Sequence, residues 1–472
     1  MTALDSNRTP SISTFASILE AQRAFHRDGQ TRDLRFRDRQ LEYLENLILN
    51  NERKIYEALR ADLGKPDQET FISEIAMVVK EIRHARANLK KWARPRRVPT
   101  SLALFPASSY IYREPVGVVL IIAPWNYPFM LALSPLVGAI AAGCCAIVKP
   151  SEISSHTSRL IYDLLTTAFA RDFVTVIEGG VPETTALLEL RFDHIFFTGS
   201  TQVGRVVALA AAKHLTPTTL ELGGKSPAII CSDADLVVAA RRIVWGRFMN
   251  GGQTCVAPDY LYVHEAVVGR FTEQLRLTLK EFYGTDPEKS PDYARIVSHS
   301  NFDRLDRMLG GATQIDIGGQ RNRETKYIAP TLLKNTTLES PAMQDEIFGP
   351  ILPIMTYSRL DDVLMRLRKS EKPLAAYIFT ENKLAAERFI ELVPFGGGCV
   401  NDTVSHLGSS HLPFGGVGSS GFGAYHGERS FLAFTHEKSV LKKSRLLDVS
   451  VRYPPYKAWK MKVLRFLLLG KF

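Results

Sequence analysis

Hydrophobic and polar positions follow two periods along this chain. Residues 31–63 are rich in charge, with Leu34, Leu41, Leu44 and Ile48 recurring at helical spacing. That pattern predicts surface helices laying one apolar stripe on a core. Residues 116–148 then contain no charged side chain. The part from 131 to 148 alone reaches the length at which a membrane span is considered. Pro124, Pro128 and Pro135, with Asn126, interrupt the stretch. It therefore reads as three buried pieces: a strand at 116–123, a helix around 131–142 and a strand at 144–148. Continuous apolar strands of this kind belong to parallel sheets covered on both faces. The alternation continues with a helix at 156–170, a strand at 174–179, a short helix after Pro182, a strand at 194–199 and a helix at 202–213. Repeated strand–helix units predict a doubly wound parallel α/β sheet. Such sheets bind ligands beyond the carboxyl ends of their strands. A second α/β pattern starts near Ser226 and runs past Phe395. The segment from "GGGCVND" to "FTHEKSVL" is Gly-rich and then β-like, and a basic, apolar tail ends the chain. There is no internal repeat or low-complexity segment.

Composition narrows the class. With 472 residues, 45% hydrophobic and 23% charged, the chain is long enough for two or three domains and a large core. The five cysteines are Cys144, Cys145, Cys231, Cys255 and Cys399, with no Cys-x-x-Cys pair and no Cys/His cluster. Neither a disulfide framework nor a metal site is expected, and a reducing, cytoplasmic compartment is. The first fifteen residues lack a long apolar run, so no secretory signal is expected. The 59 Lys and Arg against 49 Asp and Glu give a net charge of +10. Two basic clusters stand out, "KKWARPRR" at 90–97 and the tail. Neither carries a nucleic-acid motif with interleaved aromatics, so no nucleic-acid partner is expected.

Several short stretches could carry chemistry. Cys255 lies in "NGGQTCVAPDY", an irregular stretch with two preceding glycines. A thiolate there would be the strongest side-chain nucleophile near neutral pH; the alternative is a small buried hydrophobe. Glu221, in "LELGGKSP", is an acid in an apolar, glycine-flanked segment. It reads either as a general base whose pKa burial raises, or as a carboxylate capping backbone N–H groups. Asn126, in "PWNYP", offers a neutral amide donor suited to an oxyanion, or else forms a turn between two prolines. "FFTGSTQVG" joins a strand to a helix start, where Gly199 and Gly204 allow close approach and free N–H groups can hold a phosphate. "KPSE", with Lys149 and Glu152, could bind ribose hydroxyls or be a solvated charge pair. "EIFGP" supplies Glu346 and Phe348 on a loop.

Taken together and in their chain order, "PWNYP", "KPSE", "FFTGSTQVG", "LELGGKSP", "GGQTC" and "EIFGP", these stretches resemble the NAD(P)-dependent aldehyde dehydrogenase superfamily, from about Phe15 to Leu441. The Glu221-to-Cys255 spacing, "SYIYREPVGVVLIIAPWNYP", "GGQTCVAPDY" and "HLPFGGVGSSGFGAYHG" look like the class-three and fatty aldehyde dehydrogenase branch. The resemblance implies a Rossmann-like cofactor domain (1–105 and 116–221) and a second α/β catalytic domain (222–398). It also implies a small β oligomerisation and bridging segment (106–115 and 399–441), followed by the tail (442–472). It makes Cys255 the nucleophile, Asn126 with the Cys255 N–H the oxyanion donors, and Glu221 the base that activates water. Trp125, Lys149, Glu152, Thr198, Gly199, Ser200, Gly204, Leu222, Glu346 and Phe348 would contact NAD or NADP, with no metal. A carboxylate at Glu152 should favour a free 2′-hydroxyl.

The resemblance places Tyr127, Trp245, Met249 and Phe414 at or beside the substrate tunnel, and an aromatic, apolar tunnel suits hydrophobic aldehydes. Plain core packing is the alternative for each. The leading substrates are medium- to long-chain aliphatic or other lipid-derived aldehydes, oxidised to acids through a thiohemiacetal and a thioester. The branch implies a homodimer. The tail, 456–472, has five basic residues and no acidic ones. It could lie peripherally in a membrane interface, or pack over the substrate entrance or a partner subunit. Two rival functions remain: a CoA-acylating aldehyde dehydrogenase, against which Glu221 argues, and a non-catalytic binding protein of the same fold.

Overall fold

The computed structural model describes residues 12–311, 314–448 and 450–470. The first eleven residues, read above as lacking a signal, and the last two of the tail lie outside the described residues. Charged, striped residues form Leu34–Leu49 and Glu52–Leu63, which bury Leu41, Leu44, Ile48, Ile55 and Leu59. The uncharged stretch divides into a strand (Val118–Ile122), a helix (Pro128–Ala142) and a strand (Cys145–Lys149). The helix starts earlier than expected because Pro128 occupies its first turn, where a missing N–H is harmless. Every residue of that helix is buried, Pro135 included. No described helix is long and apolar enough to cross a membrane.

The first sheet has six strands in the order Gly421–Phe422, Thr218–Glu221, His194–Thr198, Val118–Ile122, Cys145–Lys149 and Val174–Val176. All neighbours are parallel except the short edge strand Gly421–Phe422. The chain reverses its winding between Val118–Ile122 and His194–Thr198. In a doubly wound sheet that switch point opens a crevice at the carboxyl ends of the two strands. "PWN" leaves one of those ends and "GST" the other.

The second sheet has seven strands, with Pro227–Ile230 and Tyr260–His264 near its centre. A third, antiparallel sheet pairs Ala107–Pro115 with Thr435–Lys443 along nine residues each, and Arg96–Val98 with the other side of Ala107–Pro115. The segment assigned from sequence to bridging is divided among all three sheets. Gly397–Val400 joins the seven-stranded sheet, Gly421–Phe422 the six-stranded one, and Thr435–Lys443 the antiparallel one. Alternation alone could not separate these roles, because two of the pieces are only four and two residues long and rich in glycine.

Candidate active site

The carboxyl ends at the switch point open into a cleft of about 950 Å³. Trp125, Asn126, Thr198, Gly199, Ser200, Glu221, Leu222, Cys255, Glu346 and Phe348 all line it. Residues from five separate stretches thus meet in one place.

The backbone around Cys255 is held in an uncommon shape. Asn250, Gly251 and Gly252 are all left-handed, with φ of 55°, 61° and 75°. Asparagine and glycine tolerate this region best. At Gly252 a Cβ would lie 2.4 Å from the Gly349 carbonyl oxygen, so only glycine lets the "EIFGP" loop close over the thiol loop. Gln253 then plugs the turn: its Nε2 donates to the Asn250 and Arg295 carbonyls (2.8 and 3.0 Å), and its Oε1 accepts from the Val297 N–H (3.0 Å). Burial pushes the Cys255 thiol up to about 12, helped by the negative charges of Glu346 and Glu221. The N–H groups of Cys255 and Val256 pull the other way. Those N–H groups point at the place where negative charge would be held.

Asn126 is buried, and its Nδ2 donates to the Gln253 carbonyl at 3.0 Å. An amide carries two N–H donors, so the second stays available to the cleft. Its own carbonyl accepts from Asn250 Nδ2 at 2.7 Å. The oxyanion candidate and the thiol loop are therefore tied together directly. Glu221 ends its strand buried, and neither carboxyl oxygen has a hydrogen-bond partner. Burial lifts it well above the usual carboxylate range. An uncompensated buried acid is costly, and capping backbone N–H groups, the alternative read from sequence, is not what it does.

The nucleotide half is equally specific. Gly199 N–H donates to the Glu221 carbonyl at 3.0 Å, fixing the turn. Ser200 caps the helix Thr201–Lys213, whose first N–H groups face the cleft and suit a pyrophosphate. A Cβ at Gly204 would lie 2.5 Å from Leu222, so glycine there lets the helix settle on the Glu221 segment. Thr198 Oγ1 is buried without a partner. Phe348, at φ 49°, sets its ring edge-on to Trp125 with centroids 5.3 Å apart. Burial and Asp259 raise Glu346 to about 8, while the Gly224 N–H, Lys225 and Arg247 oppose the rise. Lys149 is buried and donates to Glu152 at 3.1 Å and to the Pro150 carbonyl at 2.9 Å. Size, an open helix start, an orphaned hydroxyl and flanking rings fit a nicotinamide dinucleotide. Among the described residues no cluster could hold a metal.

The four tunnel candidates do not line this cleft. Tyr127 is buried with its hydroxyl 2.6 Å from Thr254 Oγ1. Met249 is buried just before the left-handed turn, and Trp245 is partly exposed on the helix Leu236–Phe248. Phe414 stacks on His426 at 5.4 Å.

Sequence reasoning missed the residues that hold the site. Asp259 binds Lys225 and Arg247, and its Oδ1 accepts the Ile347 N–H at 3.1 Å, setting the "EIFGP" loop. Its place in "CVAPDY" was the available signal. Lys65, on the loop after Gly64, and Glu69 and Glu74, on the helical segments that follow, reach the site from far upstream with no local signal.

A switch-point cleft with a buried acid, a thiol loop and a dinucleotide-shaped half defines an oxidoreductase that uses a nicotinamide cofactor. The chain matches the aldehyde dehydrogenase family over residues 14–440 and belongs to it. It is an NAD(P)-dependent oxidoreductase of aldehydes, in the class-three and fatty aldehyde dehydrogenase-like branch. A 4,4'-diaponeurosporen-aldehyde dehydrogenase of Staphylococcus aureus is 49% identical over 92% of this chain and 95% of its own. The aldehyde dehydrogenase family 3 member A2 of Mus musculus is 45% identical over 96% of this chain and 94% of its own. A solved structure described as the substrate-bound state of Staphylococcus aureus AldH superposes with a TM-score of 0.94 at 48% identity. It covers 96% of this chain, and 98% of that chain is covered.

Proposed function

We propose that the protein oxidises hydrophobic, lipid-derived aldehydes to carboxylic acids, with Cys255 as nucleophile, Asn126 as oxyanion donor and Glu221 as base. The observation that carries this reading is the meeting in one cleft of Cys255 with a buried Glu221 whose carboxyl oxygens have no hydrogen-bond partner. Cys255 releases its thiol proton to solvent in the cleft as Sγ attacks the aldehyde carbon, and the new oxyanion sits between Asn126 Nδ2 and the Cys255 N–H. A bound NAD or NADP, held by the cleft residues named below, would supply the hydride acceptor. Glu221 then takes a proton from the water that cleaves the thioester, as its raised affinity for protons suits.

Cofactor residues are assigned as in the family pattern: Ser200 and the following helix at the pyrophosphate, Lys149 and Glu152 at the adenosine ribose, Glu346 at the nicotinamide ribose. The Glu152 carboxylate disfavours a 2′-phosphate. The cofactor domain, catalytic domain and bridging segment follow the boundaries given above. Tyr127, Trp245, Met249 and Phe414 flank the aldehyde's path. One relative is named as a 4,4'-diaponeurosporen-aldehyde dehydrogenase, which supports a lipid-derived substrate. The homodimer reading rests on Thr435–Lys443, an edge strand of its sheet that could pair with a second copy. Peripheral membrane binding rests on the exposed apolar tail.

The test is reduced-cofactor absorbance with an aliphatic aldehyde series. Turnover should rise with chain length, and Cys255→Ala should lose roughly 10⁴-fold or more while still binding cofactor. No turnover with any aldehyde sinks the reading. Formation of acyl-CoA in place of free acid, when CoA is added, would replace it with the thiol-acylating one.

A further inference from the structure

The segment 65–74 lies outside every motif of the active site, yet it touches both of its halves. Lys65 and Glu74 form an ion pair at 2.6 Å with both side chains fully buried. Glu74 sits in a π-helical turn, Phe71–Ile75, within a longer helical run. Such turns are rare and recur at functional sites. The other Glu74 oxygen accepts the N–H groups of Phe129 and Met130 at 3.1 and 2.9 Å. Lys65 Nζ lies 3.4 Å from the Asn126 carbonyl and 4.2 Å from the centre of the Tyr127 ring. From the same segment, Glu69 accepts the Asn250 N–H at 2.8 Å, at the start of the left-handed turn leading to Cys255.

Burying two full charges is expensive, and apolar side chains of similar size often serve stability as well or better. Stability alone is therefore a poor account of this pair. The hydrogen bonds point instead to a stretch of backbone, 126–130, that carries the amide facing the thiol.

We infer that Lys65 and Glu74 are positioning residues that aim the Asn126 amide at the oxyanion formed on the substrate. Glu74 fixes the first turn of the helix Pro128–Ala142. Lys65 draws the Asn126 carbonyl toward itself, which turns the side chain back toward Gln253 and the cleft. Glu69 holds the facing loop, so that the two halves keep their separation. This inference rests on the proposed role of Asn126 as oxyanion donor.

The experiment compares Lys65→Met/Glu74→Gln, Lys65→Arg, Asn126→Ala and the triple variant in the full-length protein. Glutamine keeps an acceptor for the Phe129 and Met130 N–H groups, while the methionine and glutamine together remove both charges. Three quantities are read: kcat, KM for the aldehyde, and the rate at which iodoacetamide alkylates Cys255, followed on the Cys255 peptide by mass spectrometry. Alkylation by iodoacetamide develops no oxyanion, so mispositioning Asn126 leaves it untouched. The double variant should lose about 10- to 100-fold in kcat, part of the roughly 100- to 1000-fold that a missing oxyanion donor costs. KM and alkylation should stay within about threefold, and Lys65→Arg should restore most of kcat. In the Asn126→Ala background the double change should cost little more, the non-additivity expected of residues acting through one another.

A folded double variant with wild-type kcat, or one whose alkylation falls in step with kcat, overturns the inference. If the double variant does not fold, Glu74→Gln alone carries the same comparison, and failure of both to fold assigns the pair to stability. Wild-type kcat in Asn126→Ala would instead overturn the site reading itself. A crippled Asn126→Ala beside an unaffected double variant would remove only the positioning role.

Discussion

Gly223 and Glu346 share one small space: a Cβ on Gly223 would lie 2.1 Å from a carboxylate oxygen of Glu346. The Gly224 N–H meanwhile supports that carboxylate. The two glycines after Glu221 therefore serve a residue more than a hundred positions away. They let Glu346 lean against the strand end that carries Glu221.

Gly223→Ala tests this contact. The clashing atom is the far end of a flexible side chain, so Glu346 should move while the fold stays. The expected outcome is roughly tenfold weaker cofactor binding by fluorescence titration, about 1.4 kcal/mol, with a near-unchanged melting temperature. Unchanged affinity would separate Glu346 from the cofactor.

The thiol's environment sets a second expectation. Burial with Glu346 and Glu221 nearby holds Cys255 at about 12 in the protein alone. The sign follows directly: at pH 7 the sulfur is protonated, and thiolate grows tenfold per pH unit. Alkylation of Cys255 without cofactor should rise with that slope from pH 7 to 10 and show no plateau. A plateau near neutrality would mean that a stronger cation or donor faces the sulfur.

Glu221 gives a third. Burial raises its carboxyl, so the neutral form persists upward from the ordinary range and the base form appears as pH rises. Turnover limited by thioester hydrolysis should increase with pH, and Glu221→Gln should flatten that limb. The variant should still release about one equivalent of reduced cofactor per site in a rapid burst. Steady turnover should then be about 10²- to 10⁴-fold slower, the range for a lost general base. A variant with no burst would place Glu221 before hydride transfer.

The fold's alternation was legible in local signals, whereas Cys255, Glu221 and Asn126 were each ambiguous alone and were singled out by the family resemblance; the structure places all three in one cleft. Uncharged strands, glycine-flanked acids and a thiol on irregular backbone all show in a short window. Lys65 and Glu74 were not legible. Their meaning comes from burial, and nothing in "LGKPDQETFISEI" tells that a lysine after a helix-ending glycine turns inward. Asp259 lay in between: it was quoted beside Cys255, but its hold on Ile347 is a contact across the fold. The bridging segment was hard for a different reason. Its strands Gly397–Val400 and Gly421–Phe422 carry too little alternation to say which sheet they join, unlike the nine-residue Thr435–Lys443.

The tail gives the last prediction. The helix Ala458–Leu469 leaves Trp459 51%, Leu468 64% and Leu469 69% exposed. It packs near the turn Leu102–Leu104, where Leu102 is 74% exposed. Lys460 is turned inward onto the Tyr453 carbonyl at 2.8 Å, while Lys457, Lys462 and Arg465 stay exposed and no acid follows Asp448 in the chain. Apolar side chains flanked by cations suit the interface of an anionic bilayer, where each cation adds about 1 kcal/mol. Full-length protein should co-sediment with vesicles containing phosphatidylserine, less with neutral ones, and less again at high salt. A version ending at Tyr453 should stay in solution with its turnover of short, soluble aldehydes retained. Equal sedimentation of the two would defeat membrane binding. A truncated protein that also becomes monomeric by sedimentation equilibrium would assign the exposed face to a second copy of the chain.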